Sequence, residues 1–207
     1  MQHINPHFHG GIRSSKKELI DLLKSWLVIG VAFAIALNGA STSVAFFIAV
    51  FISLFTVGIG FLLHELAHKF VAQRYGCFAE FRSFDRMLIF ALIVSLFGFI
   101  FAAPGAVMIQ GKITRSQRGI ISAAGPLTNM ILALIFLFIS ASTTGILEAI
   151  GAYGFIINSW LALFNMIPFA MFDGKKVLDW NKFIYAGMAV ASLSLIVVHN
   201  LILIGRL

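Results

Sequence analysis

Six long apolar runs, separated by short polar gaps, constrain this chain more than any other feature of its sequence. Of its 207 residues, 60% are hydrophobic and only 11% are charged, whereas a soluble domain keeps about a quarter of its residues charged. Such a chain cannot cover itself with polar surface, so lipid must be part of its solvent. The runs are 26–37 (extended back to 19), 44–72, 87–103, 119–140, 153–170 and 183–204. Because a spanning helix needs about 20 mostly apolar residues, we predict an all-α polytopic membrane protein.

The distribution of basic residues favours five spans over six. If the third run crossed the bilayer, its basic flanks, Arg82 with Arg86 and Lys112 with Arg115, would lie on opposite sides, against the positive-inside bias. If that run dips in and returns, 14 of the 15 Lys and Arg residues, all but Arg206, lie on one side. We therefore predict five spans and one re-entrant element, and we keep six spans as the alternative.

The end of the third run predicts a short strand at membrane depth. Pro104 and Gly105 end a helix, and the apolar, partly β-branched residues up to Ile109 suit a strand. Non-helical backbone is tolerated inside a bilayer only where it is buried or lines a cavity. A re-entrant, β-hairpin-like element that faces a cavity meets this condition.

The charge balance and the single cysteine exclude several classes of protein. The net charge is +7, but the basic residues lie in the gaps between apolar runs rather than in one patch, so we expect no nucleic-acid partner. Cys77 is the only cysteine, so the chain forms no internal disulfide.

We predict that residues 1–25 form a polar, basic N-terminal segment and that 26–207 form a single transmembrane domain. A cleavable signal peptide is an alternative for the first run, which we interpret as a retained helix.

The second run contains His64-Glu65-Leu66-Ala67-His68. On a helix, positions i and i+4 lie on one face, so two imidazoles there can share a metal, with Glu65 beside it. This H-E-x-x-H spacing is typical of zinc proteases. An ionisable residue in a spanning helix costs about 3 kcal/mol, so three in five residues are hard to explain by packing. The alternative is a polar helix end near the headgroups.

Zinc needs a third protein ligand, and the chain has only 8 acidic residues. Asp173 stands at the end of the fifth run, where Pro168 breaks the helix and Gly174 frees the backbone. Five spans bring the ends of the second and fifth runs to the same side, which favours Asp173 as the ligand. An N-cap role for Asp173 and His199 as a competing ligand remain open at this point.

Together these residues resemble the site-2 protease family of intramembrane zinc metalloproteases. Three motifs of that family occur in order within residues 44–176. They are His64-Glu65-Leu66-Ala67-His68, Gly125-Pro126-Leu127-Thr128-Asn129 and Asn165-x-x-Pro168-x-x-x-x-Asp173-Gly174. The chain differs from simpler members in carrying the extra apolar stretch 87–101.

The resemblance implies one Zn²⁺ per chain, held by His64, His68 and Asp173, with Glu65 as the catalytic base. It also implies a re-entrant β-hairpin between the first two motifs. The expected activity is hydrolysis of peptide bonds in or near transmembrane segments of membrane protein substrates, as in regulated intramembrane proteolysis.

Further residues are candidates for binding the substrate or orienting the ligands. A strand edge at Gly105, Ala106 and Val107 could hold an unwound substrate by main-chain pairing. Asn129 and Asn165 could bond the substrate backbone or the metal ligands, and bonding between helices is the alternative for both.

Three other functions stay open from the sequence alone. Intramembrane His, Glu and Asp also mark transporters and ion-conducting proteins, although no internal repeat is visible. The others are an inactive metal-binding protein, and a different metalloprotease class that uses Glu80 or Glu148 as the third ligand. For localisation we expect a multi-pass protein of a prokaryotic cytoplasmic membrane, with the N-terminus and the basic loops in the cytoplasm.

Overall fold

The computed structural model describes residues 13–100, 104–169 and 172–204, and within these ranges the chain is mostly helical. Eight α-helices, one π-helical turn and two strands follow one another in the described residues. They are α1 (Lys16–Asn38), α2 (Val44–Ser53), the π turn (Leu54–Gly58), α3 (Ile59–Arg74), β1 (Phe78–Ser83), α4 (Asp85–Ser95), β2 (Gly105–Gln110), α5 (Arg115–Ser142), α6 (Ile146–Asn165), α7 (Asp173–Trp180) and α8 (Lys182–Ile204).

Five helical segments in the described residues are long and apolar enough to cross a membrane, which confirms a multi-pass architecture. They are α1, the continuous segment Val44–Arg74 formed by α2, the π turn and α3, then α5, α6 and α8. The helix of the third apolar run, α4, has only 11 residues. At 1.5 Å per residue it is about 17 Å long, roughly half of a bilayer's hydrocarbon core. It is therefore too short to be a sixth span.

Helix ends follow local signals in the sequence. The Ser15 hydroxyl accepts from the Glu18 N–H at the start of α1, and Thr114 with Gln117 forms a capping box at the start of α5. Each of these side chains satisfies a backbone donor that the first turn leaves free. Helix α6 ends at Asn165, shortly before Pro168, which cannot continue it.

Helix α6 begins earlier than the fifth apolar run, 153–170, predicts. It starts at Ile146, after Gly145 with a φ of 67°. The reason is close packing, which favours small residues over a continuous apolar pattern. A Cβ on Gly151 would lie 2.4 Å from the Ser140 backbone nitrogen, and one on Gly154 equally close to the Phe136 ring. Glycines that weaken the apolar pattern thus let α6 approach α5 closely.

The predicted strand exists, but its partner was not predicted. Strand β2 pairs antiparallel with β1, from Phe78 opposite Gln110 to Ser83 opposite Gly105. The charged residues Glu80 and Arg82 on β1 made this segment look like a basic loop. Since α4 is inserted between the two strands, the element is a two-stranded sheet with a helical connection rather than a tight hairpin.

A buried ion pair fastens this sheet to α1 and α3. The Lys69 ammonium lies 2.6 Å from a carboxylate oxygen of Glu18, and neither side chain is exposed to solvent. The same ammonium donates to the Ser14 hydroxyl at 2.6 Å. The second carboxylate oxygen of Glu18 accepts the Phe81 N–H of β1 at 2.9 Å. One carboxylate therefore joins α1, α3 and β1.

A second polar contact of α1 fixes the beginning of α4. The Lys24 ammonium lies 2.5 Å from the Asp85 carboxylate, and the Ser83 hydroxyl donates to the same oxygen at 2.8 Å. These hydrogen bonds, from Lys24 first and Ser83 second, hold the pKa of Asp85 below its ordinary value. Helix α1 thus contacts both ends of the β1–α4 connection.

We expect Lys69→Met to destabilise the protein by about 3–5 kcal/mol, because it leaves the Glu18 carboxylate buried without its cation. The free energy of unfolding is to be measured in mixed detergent micelles. The control is Lys175→Met, which breaks an exposed pair with Asp179 and should cost at most about 1 kcal/mol. The double variant Glu18→Gln/Lys69→Met should regain part of the loss, since no buried charge remains. Equal effects of Lys69→Met and Lys175→Met would contradict this account of the buried pair.

Candidate metal centre

Helix α3 brings two histidine rings together on one buried face. His64 and His68 are one turn apart, and their Nε2 atoms lie 3.0 Å from each other. Both residues are buried, at 6% and 8% exposure. The i, i+4 spacing therefore places both imidazoles where they could share a metal ion.

Asp173, which belongs to the third motif, lies next to these two rings. It is the first residue of α7, after the break that follows α6, and Phe172 rather than Asp173 occupies the N-cap position. One of its carboxylate oxygens lies 3.3 Å from Nε2 of His64 and 3.0 Å from Nε2 of His68. The end of α6 and the end of α3 therefore meet on the same side of the bundle, as the five-span topology requires.

The three residues fit a zinc ion by donor type and by spacing. Two imidazole nitrogens and one carboxylate oxygen form a common catalytic zinc set. Ligand atoms about 2.0–2.1 Å from a tetrahedral zinc are about 3.3 Å from one another, and the observed separations are 3.0–3.3 Å. These ligand atoms belong to the only group of three or more such residues in the described part of the chain that could hold a metal ion.

Hydrogen bonds to the other ring nitrogen orient both histidines. The Nδ1–H of His68 donates to the carbonyl of Ile121 at 2.7 Å, and Nδ1–H of His64 donates to Oδ1 of Asn129 at 2.5 Å. In the neutral rings each Nε2 then carries a lone pair. Three acceptor atoms thus point at one another, and a cation between them turns their repulsion into attraction.

Gly125 leaves the room that these rings occupy. A Cβ at this position of α5 would lie 2.4 Å from Nε2 of His68 and 2.5 Å from Nε2 of His64. Any larger residue would therefore displace the atoms that converge on Asp173. Sequence reasoning placed Gly125 in a motif but did not identify this steric requirement.

Glu65 lies between the two histidines on α3 and contacts the sheet. Its carboxylate lies near the backbone of Val107 on β2. The Phe81 N–H is bonded to Glu18, so Phe81 and Val107 form a non-hydrogen-bonded pair of the ladder. The backbone groups of Val107 consequently face away from β1, toward Glu65. By the same alternation, the backbone groups of Gly105 and Ile109 face the free edge of β2, which is the edge that is not paired with β1.

The other sequence candidates lie outside the cluster. Glu80 is paired with Arg82 on β1, and Glu148 lies in the first turn of α6. His199 is on α8, where its ring centroid lies 5.9 Å from that of Phe155. The amide of Asn165 donates to Leu161 within its own helix at 2.9 Å.

Asn158 is a polar neighbour of the site that sequence reasoning missed. It is fully buried on α6 and accepts from the Asn129 side chain at 3.0 Å. Its position in an apolar run was the available signal, since a buried amide in a spanning helix needs a partner.

Comparison with known proteins identifies the family. The sequence profile of peptidase family M50 matches residues 51–152. "Putative zinc metalloprotease MJ0611" of Methanocaldococcus jannaschii is 46% identical over 178 residues, which cover 84% of this chain and 90% of that protein. "Putative zinc metalloprotease YwhC" of Bacillus subtilis is 26% identical over 149 residues, or 60% of this chain and 66% of that protein. "Zinc metalloprotease MJ0392" of M. jannaschii is 26% identical over 157 residues, or 72% of this chain and 39% of that protein.

No solved structure matches the chain significantly. The protein MJ0611 is similar over nearly its whole length, and the profile match includes both histidines of α3 and the residues from Gly125 to Asn129. The apolar helices and the His–His–Asp cluster agree with these matches. The chain therefore belongs to peptidase family M50, the site-2 protease family, and is a membrane zinc metallopeptidase.

Proposed function

We propose that this protein hydrolyses peptide bonds in or near transmembrane segments of membrane protein substrates. In this proposal His64, His68 and Asp173 hold the zinc ion, and Glu65 is the general base and acid. The observation that carries the proposal is the convergence of three ligand atoms beside Glu65, inside a bundle of apolar helices.

The three metal ligands and Glu65 have different tasks in the reaction. When bound, zinc lowers the pKa of a coordinated water to about 7 and polarises a carbonyl group. Glu65 takes a proton from the attacking water and returns it to the leaving nitrogen of the scissile bond. The backbone of Val107 on β2 lies near the Glu65 carboxylate.

The free edge of β2 is the proposed binding place for the substrate. A helical substrate hides its peptide groups, so it must unwind before cleavage. An extended segment could pair with backbone groups of the edge that begins at Gly105, Ala106 and Val107. The Val107 backbone lies near Glu65, so a chain bound along this edge would pass beside the general base. Asn165, at the end of α6, remains a further candidate for contacting the substrate.

The basic loops support a cytoplasmic orientation of the site. With five spans, the ends of α3 and α6 and the basic residues near them lie on one side, which the positive-inside bias assigns to the cytoplasm. Water would then reach the site, and a soluble product would leave it, from the cytoplasmic side. We propose a prokaryotic cytoplasmic membrane as the location of the protein.

Glu65→Gln should abolish cleavage and keep zinc. The amide cannot accept the proton, and general acid–base catalysis is worth about 10²–10⁴-fold. The measurement is cleavage of a panel of single-span membrane proteins in liposomes, with zinc content determined on the same samples. Glu148→Gln is the matched control and should leave activity unchanged. Retained cleavage by the Glu65→Gln protein would sink the assignment of the base.

The purified protein should contain one zinc ion per chain, and both His64→Ala and Asp173→Asn should lose it. Each variant removes one of the three donors, and a two-donor remnant binds zinc weakly. Elemental analysis after detergent purification in zinc-replete medium measures the content. His199→Ala is the control and should keep its zinc. Full zinc content in either ligand variant would show that the metal is held elsewhere.

Gly125→Ala should lower zinc content in a protein that remains folded. The added methyl would meet both imidazole Nε2 atoms within 2.4–2.5 Å, so the rings must move apart from Asp173. Gly187→Ala is the matched control, because no atom lies within 4 Å of a Cβ at that position. Zinc content and thermal unfolding of the two variants are to be compared. Wild-type zinc content in the Gly125→Ala protein would contradict the close approach of α5.

A further inference from the structure

Asn158 lies one contact beyond the residues that bond the proposed zinc ligands. It stands on α6, and its side chain is wholly inaccessible to solvent. Its amide is pressed against α3, where a Cβ on Gly60 would lie 2.4 Å from Oδ1 of Asn158. A glycine on the ligand-bearing helix therefore makes room for this amide.

A chain of hydrogen bonds leads from Asn158 to His64. Nδ2 of Asn158 donates to the carbonyl of Gly154 at 2.9 Å. Oδ1 of Asn158 accepts from Nδ2 of Asn129 at 3.0 Å, and the same Nδ2 donates to the carbonyl of Gly60 at 3.1 Å. Oδ1 of Asn129 lies 2.5 Å from Nδ1 of His64.

Two backbone carbonyls determine the direction of this chain. A carbonyl only accepts, so the NH₂ group of Asn158 must face Gly154 and the NH₂ group of Asn129 must face Gly60. Each amide oxygen then points the other way. The oxygen of Asn129 can only accept, so the proton of the neutral His64 ring must be on Nδ1.

We propose that Asn158 is a positioning residue that, through Asn129, holds His64 in the tautomer whose Nε2 is free to bind zinc. This inference rests on the proposed zinc site and adds a specific determinant of His64. His68 needs no such relay, because its Nδ1–H donates directly to the Ile121 carbonyl. The two histidines therefore differ in how their tautomers are fixed.

The test compares Asn158→Leu with Ser159→Ala in the full chain. Leucine has a similar volume and no hydrogen-bonding group. Ser159 is the next residue of α6, is equally buried, and its hydroxyl donates only within its own helix, to the Phe155 carbonyl at 2.7 Å. Zinc affinity is measured by competition with a chelator, and ring tautomers by NMR of protein labelled with ¹⁵N-histidine and freed of zinc.

We expect Asn158→Leu to weaken zinc binding about tenfold, the lower end of what outer partners of metal ligands contribute. The Nδ1–H signal of His64 should weaken while that of His68 persists, and Ser159→Ala should resemble wild type in both measurements. In an Asn129→Leu background, Asn158→Leu should add almost nothing, because the relay is already broken.

Several results would overturn the inference. These are wild-type zinc affinity and tautomers in Asn158→Leu, equal losses in Ser159→Ala, and additive losses with Asn129→Leu. If Asn158→Leu does not fold, Asn158→Asp replaces it, since a carboxylate still accepts from Asn129. That variant should keep the His64 tautomer, and its loss in a folded protein would refute the relay. Absence of zinc from the wild-type protein would instead refute the proposed site.

Discussion

Three acceptor atoms that converge inside an apolar bundle are the constraint on which the rest of this structure depends. His64 and His68 lie on one turn of a spanning helix, whereas Asp173 comes from the break between α6 and α7. These two places meet only if the chain crosses the membrane an even number of times between them. With the third apolar run reduced to the short helix α4, the two spans α5 and α6 supply that number. The topology and the metal chemistry are therefore two aspects of one requirement.

The small sheet meets a different requirement, the satisfaction of buried backbone groups. Strand β1 shields one side of β2, and a buried carboxylate from α1 accepts the Phe81 N–H on the far side of β1. The remaining edge faces Glu65. Helix α1 contributes none of the three clustered ligand atoms, but it anchors the sheet that lies beside Glu65. This anchoring requires the burial of a charge pair, Glu18 with Lys69, and removing these charges from water is energetically unfavourable.

Much of this arrangement could be predicted from the sequence, and the failures have physical causes. Hydropathy and basic residues gave the spans, and motif spacing gave His64, His68 and Asp173, because these signals are local or depend on chemistry. Strand β1 was missed because its partner lies more than twenty residues away and its charges suit a loop. Asn158 was missed because a single amide in an apolar run has no spacing to reveal its partner. The start of α6 was misplaced because close helix packing selects glycine, which also weakens the apolar pattern.

The π turn in the second span has a consequence for the phase of that helix. A π turn accommodates one extra residue, and each residue of an α-helix turns the chain by about 100°. Trp26 of α1 stabilises the turn, since its indole N–H donates to the Leu54 carbonyl at 3.0 Å. A Cβ on Gly58 would lie 2.6 Å from this indole ring, so the glycine leaves room for it. The extra residue thus rotates the face of the helix after the turn relative to the face before it. One continuous span can pack against α1 near its beginning and still direct both imidazoles toward α5 near its end.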